Sequence, residues 1–479
     1  MRTSSAVELF LPLNRADPLP LHRQLERQLR DAVRTGRLAP SSIVPSTRAL
    51  AKQLGISRGI VVDTYEQLIA EGYLASRPGG ATSVARAASA AATRRPEPQA
   101  RGFAVEFRSG RPDLDEFPRG AWLRSLRRAL NEAPSERLGY RDGRGVPELR
   151  DALATYLSRV RGTAADPADV VISSGFAQGL KLVAKVLAAS GARRIAVEDP
   201  GYADARAIVR AAGLSVVGVP VDESGIRIDA LDRARADAVV VTPAHQYPTG
   251  GVLPPDRRAA LVAWAERRNA IIIEDDYDAE FRYDRDPIGS MQGLCPDHVV
   301  YAGSASKILA PGLRLGWLIV PAPLADAVAR AKMSDDLGSP ALEQLAFADF
   351  VSSGELDRHL RRMRPMYRAR RDVLLGALHR HLPALRPVGA SAGLHVLAWL
   401  PLGADEGALL HSAGEAGIAL ETLAESRIAN GDPAGIILGY GSVAETAIDG
   451  SIGRLARLSI WSSLRRRSSS PSRRRSSSR

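Results

Sequence analysis

Lysine is scarce in this chain. It occurs at five positions (52, 181, 185, 307 and 332), against 60 arginines. One of the five, Lys307, closes the turn GSASK (303–307), just past an apolar run. Lysine is the side chain that condenses with an aldehyde cofactor to form a Schiff base. Standing alone, Lys307 would read as an exposed turn lysine. It has company. Asp275 ends the run IIIED, and a carboxylate facing a pyridine nitrogen keeps that ring protonated and electron-withdrawing. Tyr277, two residues on, points to the same side if the strand continues, and its hydroxyl could hydrogen-bond a ring oxygen.

A phosphate-bearing cofactor needs an anion cradle as well. SSGFAQGL (173–180) reads as a strand-to-helix turn, which offers free backbone N–H groups to a phosphate. Ser304, Ser306 and Arg314 could add further contacts. In EDPGY (198–202), Tyr202 follows a strand, where its ring could stack on a flat cofactor. Each signal is weak singly, because a Gly/Ser turn is usually only a turn.

The elements that must position these residues alternate along the body. VVIS (170–173), RIAVED (194–199), SVVGVPV (215–221), AVVVT (238–242), AIIIEDD (270–276), VVYAGS (299–304) and LGWLIV (315–320) read as strands separated by helical stretches. Most are continuously apolar, as in a sheet covered on both faces. Such alternation predicts an α/β sheet with its site at the carboxyl ends of the strands.

The first 84 residues read differently. Leu21, Leu25, Leu29, Ala32 and Val33 share one helical face. Ser46 is a good N-cap for a short second helix that stops at Gly55, and Ser57 caps a third. GYLASRPGGATSV (72–84) then reads as strand, Gly-rich turn and strand, a β-wing. Two short helices joined by a tight Gly-containing turn form a helix-turn-helix, whose second helix enters the major groove.

The chain has 479 residues, 45% of them hydrophobic, which excludes disorder throughout and allows two to four domains. No apolar run reaches the roughly 20 residues of a membrane span, and no signal-peptide core opens the sequence. The single cysteine, Cys295, excludes an intramolecular disulfide and a cysteine-based metal cluster. A cytoplasmic protein with no bound metal is expected. The net charge is +12, with +7 in residues 1–101, seven arginines and no acid in 465–479, and a net −2 between. Basic ends suit a polyanion, although so large an arginine excess also follows from a GC-rich genome. The expected organisation is a DNA-binding unit (1–84), a linker (85–101), a ligand-binding body (102–460) and an Arg/Ser tail (461–479) that is disordered by composition.

The block VPSTRALAKQLGISRGIVVDTYEQLIAEGYLASRPGG (44–80) closely resembles the GntR-type winged helix. That resemblance implies DNA contacts from Arg48 and Arg58, phosphate contacts from Ser46 and Ser57, and a wing turn at Gly79 and Gly80 near the minor groove. Val62, Ala81 and Ser83 depart from the family pattern. The order of VISSGFAQGL, VEDPGYADAR, VTPAHQYPTGG, IIEDDYDAEFRY and YAGSASKILAPGLRLGWL resembles the fold-type I aminotransferases. Joined to the head, the chain resembles the MocR subfamily of transcriptional regulators. This resemblance implies pyridoxal 5'-phosphate on Lys307, with Asp275 at the pyridine nitrogen, Tyr277 at the ring oxygen and Tyr202 stacked on the ring. Ser304, Ser306, Arg314 and the 174–179 turn, Ala177 and Gln178 included, would hold the phosphate. It also implies a head-to-tail homodimer, in which Tyr140 reaches the neighbour's site. Two departures bear on activity. Ile437 stands where the fold's enzymes place a carboxylate-binding arginine, and HQYPTG (245–250) replaces the usual asparagine, leaving His245 or Gln246 in its place. The expectation is a regulator of double-stranded DNA binding that senses pyridoxal phosphate, alone or with an amine or amino-acid effector. The alternative is a working aminotransferase with an accessory head.

Overall fold

The computed structural model describes residues 11–76, 80–85, 102–140, 142–283, 288–428 and 433–461. The chain divides into two compact units, 1–101 and 102–479.

In the first unit, helices α1 (Leu21–Arg34), α2 (Thr47–Leu54) and α3 (Arg58–Ala70) precede a two-stranded antiparallel sheet, β1 (Leu74–Ala75) with β2 (Ser83–Val84). The α1 stripe of Leu25, Leu29, Ala32 and Val33 is buried against Leu50, Val61 and Leu68, and each fully buried leucine contributes about 2 kcal/mol. Ser46 accepts a hydrogen bond from the Ala49 N–H at 3.2 Å, and Ser57 from that of Ile60 at 3.4 Å. Gly55 ends α2 at φ 63°, a left-handed conformation that suits glycine. The strands after α3 pair antiparallel, and the Val44 N–H bonds back to Thr82 at 3.0 Å, tying the wing to the approach to α2.

The second unit opens with β3 (Val105–Glu106). Its main sheet contains β4 (Val170–Ser173), β5 (Arg194–Asp199), β6 (Ser215–Asp222), β7 (Gly225–Ile226), β8 (Ala238–Val241), β9 (Ile271–Asp276), β10 (Val299–Ser304) and β11 (Gly316–Ile319). Their spatial order is β4-β11-β10-β9-β8-β5-β6-β7. The run from β10 to β6 is parallel, and β11 lies antiparallel between β4 and β10. Alternate residues face opposite sides. Ile195, Val197, Val240, Ile273 and Val300 pack into one apolar cluster, and Ala196, Val239, Ile272 and Val299 into another. Both faces are therefore covered, which explains the continuously apolar strands. A second sheet, of order β12-β13-β16-β15, contains β12 (Arg386–Val388), β13 (His395–Trp399), β15 (Glu421–Thr422) and β16 (Gly435–Gly439). The short β14 (Ile418–Ala419) pairs in parallel with β3.

Candidate functional site: the cavity at Lys307

Strand parity sorts the acidic run of β9. Asp275 shares the side of Ile273, while Glu274 and Asp276 face the other way. On that other side Arg161 bonds Asp276 through both carboxylate oxygens, at 2.7 and 2.9 Å, and the backbone N–H of Met291 bonds Glu274 at 2.9 Å. Asp275, freed from this network, lines a cavity of about 390 Å³ at the carboxyl ends of the parallel strands. Lys307, Tyr277, Tyr202, Ser304, Ser306, Arg314 and Ala177 line it with Asp275. Seven residues singled out in the sequence thus meet Asp275 around one space.

Burial lowers the Lys307 pKa, and the nearby Asp275 carboxylate opposes that shift. The Lys307 ammonium donates to the Gly110 carbonyl at 2.7 Å. Gly110 has φ +66°, a left-handed conformation that suits glycine, and a Cβ there would lie 2.7 Å from the Lys307 nitrogen and displace it. Asp275 is buried, and no described residue donates a hydrogen bond to it. Burial, and after it the neighbouring Asp276, raise its pKa well above the ordinary carboxyl value. A cationic group placed against Asp275 would favour its ionised form.

The helix N-terminus at the cavity is brought there by close backbone approach. Gly175, at φ +98°, caps the helix Phe176–Ala189, and a Cβ on Gly316 would lie 2.6 Å from the Gly175 Cα. The glycine at the start of β11 therefore lets that helix N-terminus meet the strand, leaving its first N–H groups toward the cavity. Arg314 reaches across to the Ser174 carbonyl. Ser304 accepts from the Ser306 N–H at 3.1 Å and donates to the Ser306 hydroxyl at 2.8 Å. Gln178 is not brought to the cavity. Its side-chain oxygen accepts from the Ser174 N–H at 2.8 Å and from Lys332 at 2.7 Å, and its amide reaches Asp336.

Of His245 and Gln246, His245 is the one in contact with Tyr277. Neither residue lines the cavity. Gln246 bonds Glu198, the Pro200 carbonyl and Thr249. His245 Nδ1 lies 2.9 Å from the Tyr277 hydroxyl and 3.0 Å from Asp278. A carboxylate only accepts, so Nδ1 carries the proton. The Tyr277 oxygen then accepts too, and its own proton is free to point into the cavity. Burial opposes charge on His245, but Asp278 outweighs it and the pKa is raised. His395 completes a buried His245–Asp278–His395 group with ligand atoms within 4.8 Å of one another. We read this group as a hydrogen-bond network, because His245 Nδ1 is already shared and His395 Nε2 bonds the Pro248 carbonyl at 3.2 Å.

The sequence reading missed Ser109, Gly110, Tyr247, His395 and Glu421, which also line the cavity. They come from the segment after β3, the loop after β8, and strands β13 and β15. Ile437, in β16, is buried beside Leu397 and Leu423 and does not reach the cavity. Tyr140 is 86% exposed.

In the head, Arg48 and Arg58 are exposed at the starts of α2 and α3, beside the capping Ser46 and Ser57. Arg58 approaches the Thr47 hydroxyl at 3.4 Å, so the two helix starts adjoin. Gly80 is exposed, and Gly79 lies outside the described residues.

Comparison with known proteins fits this division. Residues 21–84 match the family model for bacterial regulatory proteins of the gntR family, and 104–402 match aminotransferase class I and II. The HTH-type pyridoxine biosynthesis transcriptional regulator PdxR of Corynebacterium glutamicum is 34% identical, over 92% of this chain and 96% of that protein. The probable rhizopine catabolism regulatory protein MocR of Rhizobium meliloti is 33% identical, over 91% and 92%. The chain belongs to the MocR/PdxR-type regulators of the gntR family. Solved relatives of the regulator's body are aminotransferases. A multiple substrate aminotransferase from Thermococcus profundus shares 26% identity at a TM-score of 0.70, covering 77% of this chain and 93% of its own. The α-aminoadipate aminotransferase LysN of Thermus thermophilus shares 27% at 0.69, covering 76% and 94%. Among the described residues, no helix of this regulator is long and apolar enough to cross a membrane.

Proposed function

We propose that this regulator binds double-stranded DNA through its head and pyridoxal phosphate in the Lys307 cavity, and that occupancy of the cavity changes its affinity for DNA. The observation that carries the reading is the convergence on one cavity of a half-buried lysine, a buried carboxylate to which no described residue donates a hydrogen bond, and a helix N-terminus. When bound, pyridoxal phosphate would supply an aldehyde for an amine and a ring that withdraws electrons. Lys307 is the amine closest at hand, and Asp275 faces the place of the ring nitrogen. Tyr277 would donate toward the ring oxygen, and Tyr202 would flank the ring. Ser304, Ser306, Arg314 and the backbone at Ala177 would hold the phosphate. Gln178 acts behind this layer, holding the turn against Lys332.

The exposed Arg48 and Arg58, beside two capped helix starts, support contact with a DNA backbone and a groove. We take the working unit to be a head-to-tail homodimer in the cytoplasm, with the exposed Tyr140 reaching the partner. The enzyme reading gains nothing from the cavity. Its described lining offers no cation besides Lys307 and Arg314, so an α-carboxylate finds no clamp.

The test is a gel shift on DNA from upstream of the protein's own and neighbouring genes, with and without pyridoxal phosphate. The native protein is expected to shift specifically and to respond to the cofactor. Lys307→Ala is expected to shift equally well with no response. A response that persists in Lys307→Ala would refute the reading.

A further inference from the structure

With the cofactor's partners assigned, the charge left in the cavity is negative. Asp275 serves the ring nitrogen, Lys307 the aldehyde and Arg314 the phosphate. Glu421 is then the remaining charged residue among the described lining. One of its carboxylate oxygens accepts from the Ser109 N–H at 3.0 Å, and the group holds no ion pair with a described residue. Apart from Lys307, whose pKa the Glu421 charge helps to raise, its neighbours in the lining add no positive charge. His395 is pushed down to about 4 by burial and next by His245, so it is neutral near pH 7. The Tyr247 hydroxyl is 3.1 Å from that of Ser109.

The register of the second sheet explains the sign. Glu421 pairs across the strands with Ile437, and Ile437 with Leu397. Side chains opposite one another share a face. Of this row Glu421 alone lines the cavity, and the aliphatic Ile437 and Leu397 are buried behind it.

We propose that the cavity takes an effector with two positive groups, a primary amine at the Lys307 end and a second cation facing Glu421. A diamine fits, and an amino acid of the same length does not. This inference rests on the reading of the cavity as a pyridoxal phosphate site. An amino acid would place its carboxylate against Glu421 and lose affinity to like-charge repulsion.

The experiment uses the full-length protein loaded with pyridoxal phosphate. The change in the visible absorbance of the bound cofactor is titrated with diamines of three to five carbons, the matching n-alkylamines and the matching ω-amino acids. The best diamine is expected to bind at least about tenfold more tightly than its ω-amino acid, since tenfold corresponds to one modest charge interaction. The ratio of diamine to alkylamine affinity is taken within each protein, so a general weakening of the site cancels. Glu421→Gln is expected to bring that ratio close to one, and Glu421→Asp to keep part of it. An ω-amino acid that binds the native protein as tightly as the diamine overturns the proposal, with no variant needed. A diamine preference that survives in Glu421→Gln overturns it as well. If pyridoxal phosphate gives no Lys307-dependent absorbance band, the cofactor reading fails and this inference falls with it. A normal band without diamine preference sinks this inference alone.

Discussion

The proton on Tyr277 is set by a residue two layers from the cavity. Asp278 fixes the proton of His245 on Nδ1, and that nitrogen fixes the Tyr277 oxygen as an acceptor. The hydroxyl proton is left free to point into the cavity, where the proposed cofactor would present its ring oxygen. Tyr277→Phe is expected to weaken pyridoxal phosphate binding about two- to tenfold, the range of one neutral hydrogen bond. His245→Ala should cost a similar factor, because the tyrosine proton can then turn toward Asp278. The double variant should cost no more than either single one, since both remove one interaction. Cofactor titration by absorbance measures all three, and additive losses would rule out the relay. At this scale the sequence was legible where chemistry was local. Lys307, Asp275 and Tyr277 stand at strand ends that composition marks. Glu421 and Ser109 are 312 positions apart and meet only in the fold, so no periodicity announces them. Gln178 misled because a turn at a helix start offers backbone and side chain alike. Here the side chain is spent on Lys332.

Strands carry polar residues into the interior as well as to the site. Glu198 sits one place before the end of β5, buried, and accepts from the Thr242 hydroxyl at 2.6 Å and its N–H at 3.2 Å. Burial pushes its pKa to about 7 from an ordinary 4.5, against the pull of those donors. The folded state thus keeps a proton that the unfolded chain releases. The stability this provides is greatest below pH 4.5 and is lost as pH rises through about 7. Glu198→Gln removes the titration. Its stability relative to the native chain should therefore rise by about 2–4 kcal/mol between pH 4.5 and pH 8, as the pKa difference dictates. Urea unfolding of both proteins across that range checks it, and a gap constant with pH would refute it. The same strand was placed from sequence at 194–199, as observed, because Ile195, Ala196 and Val197 face two different cores and must all be apolar. The small sheet was not foreseen. Its strands, β12, β13, β15 and β16, are two to five residues long, and Glu421 and Thr422 carry no apolar signature.

At the scale of the whole chain, regulation requires that two separately folded units exchange free energy. The head has its own core around Leu25, Leu29 and Leu68, and the cavity lies wholly within the body. If pyridoxal phosphate changes the affinity for operator DNA by some factor, DNA must change the affinity for pyridoxal phosphate by that same factor. A coupling of about 1–3 kcal/mol would make it roughly 5- to 150-fold. Four dissociation constants close the cycle: DNA with and without cofactor, by gel shift or anisotropy, and cofactor with and without a saturating operator duplex, by absorbance. The two ratios are expected to agree and to differ from one. Lys307→Ala should bring the DNA ratio to one while leaving the DNA constant itself in place. Ratios of one in the native protein would mean that head and body bind independently. Occupancy would then have no route to the DNA through affinity, however tightly the cavity holds its ligand.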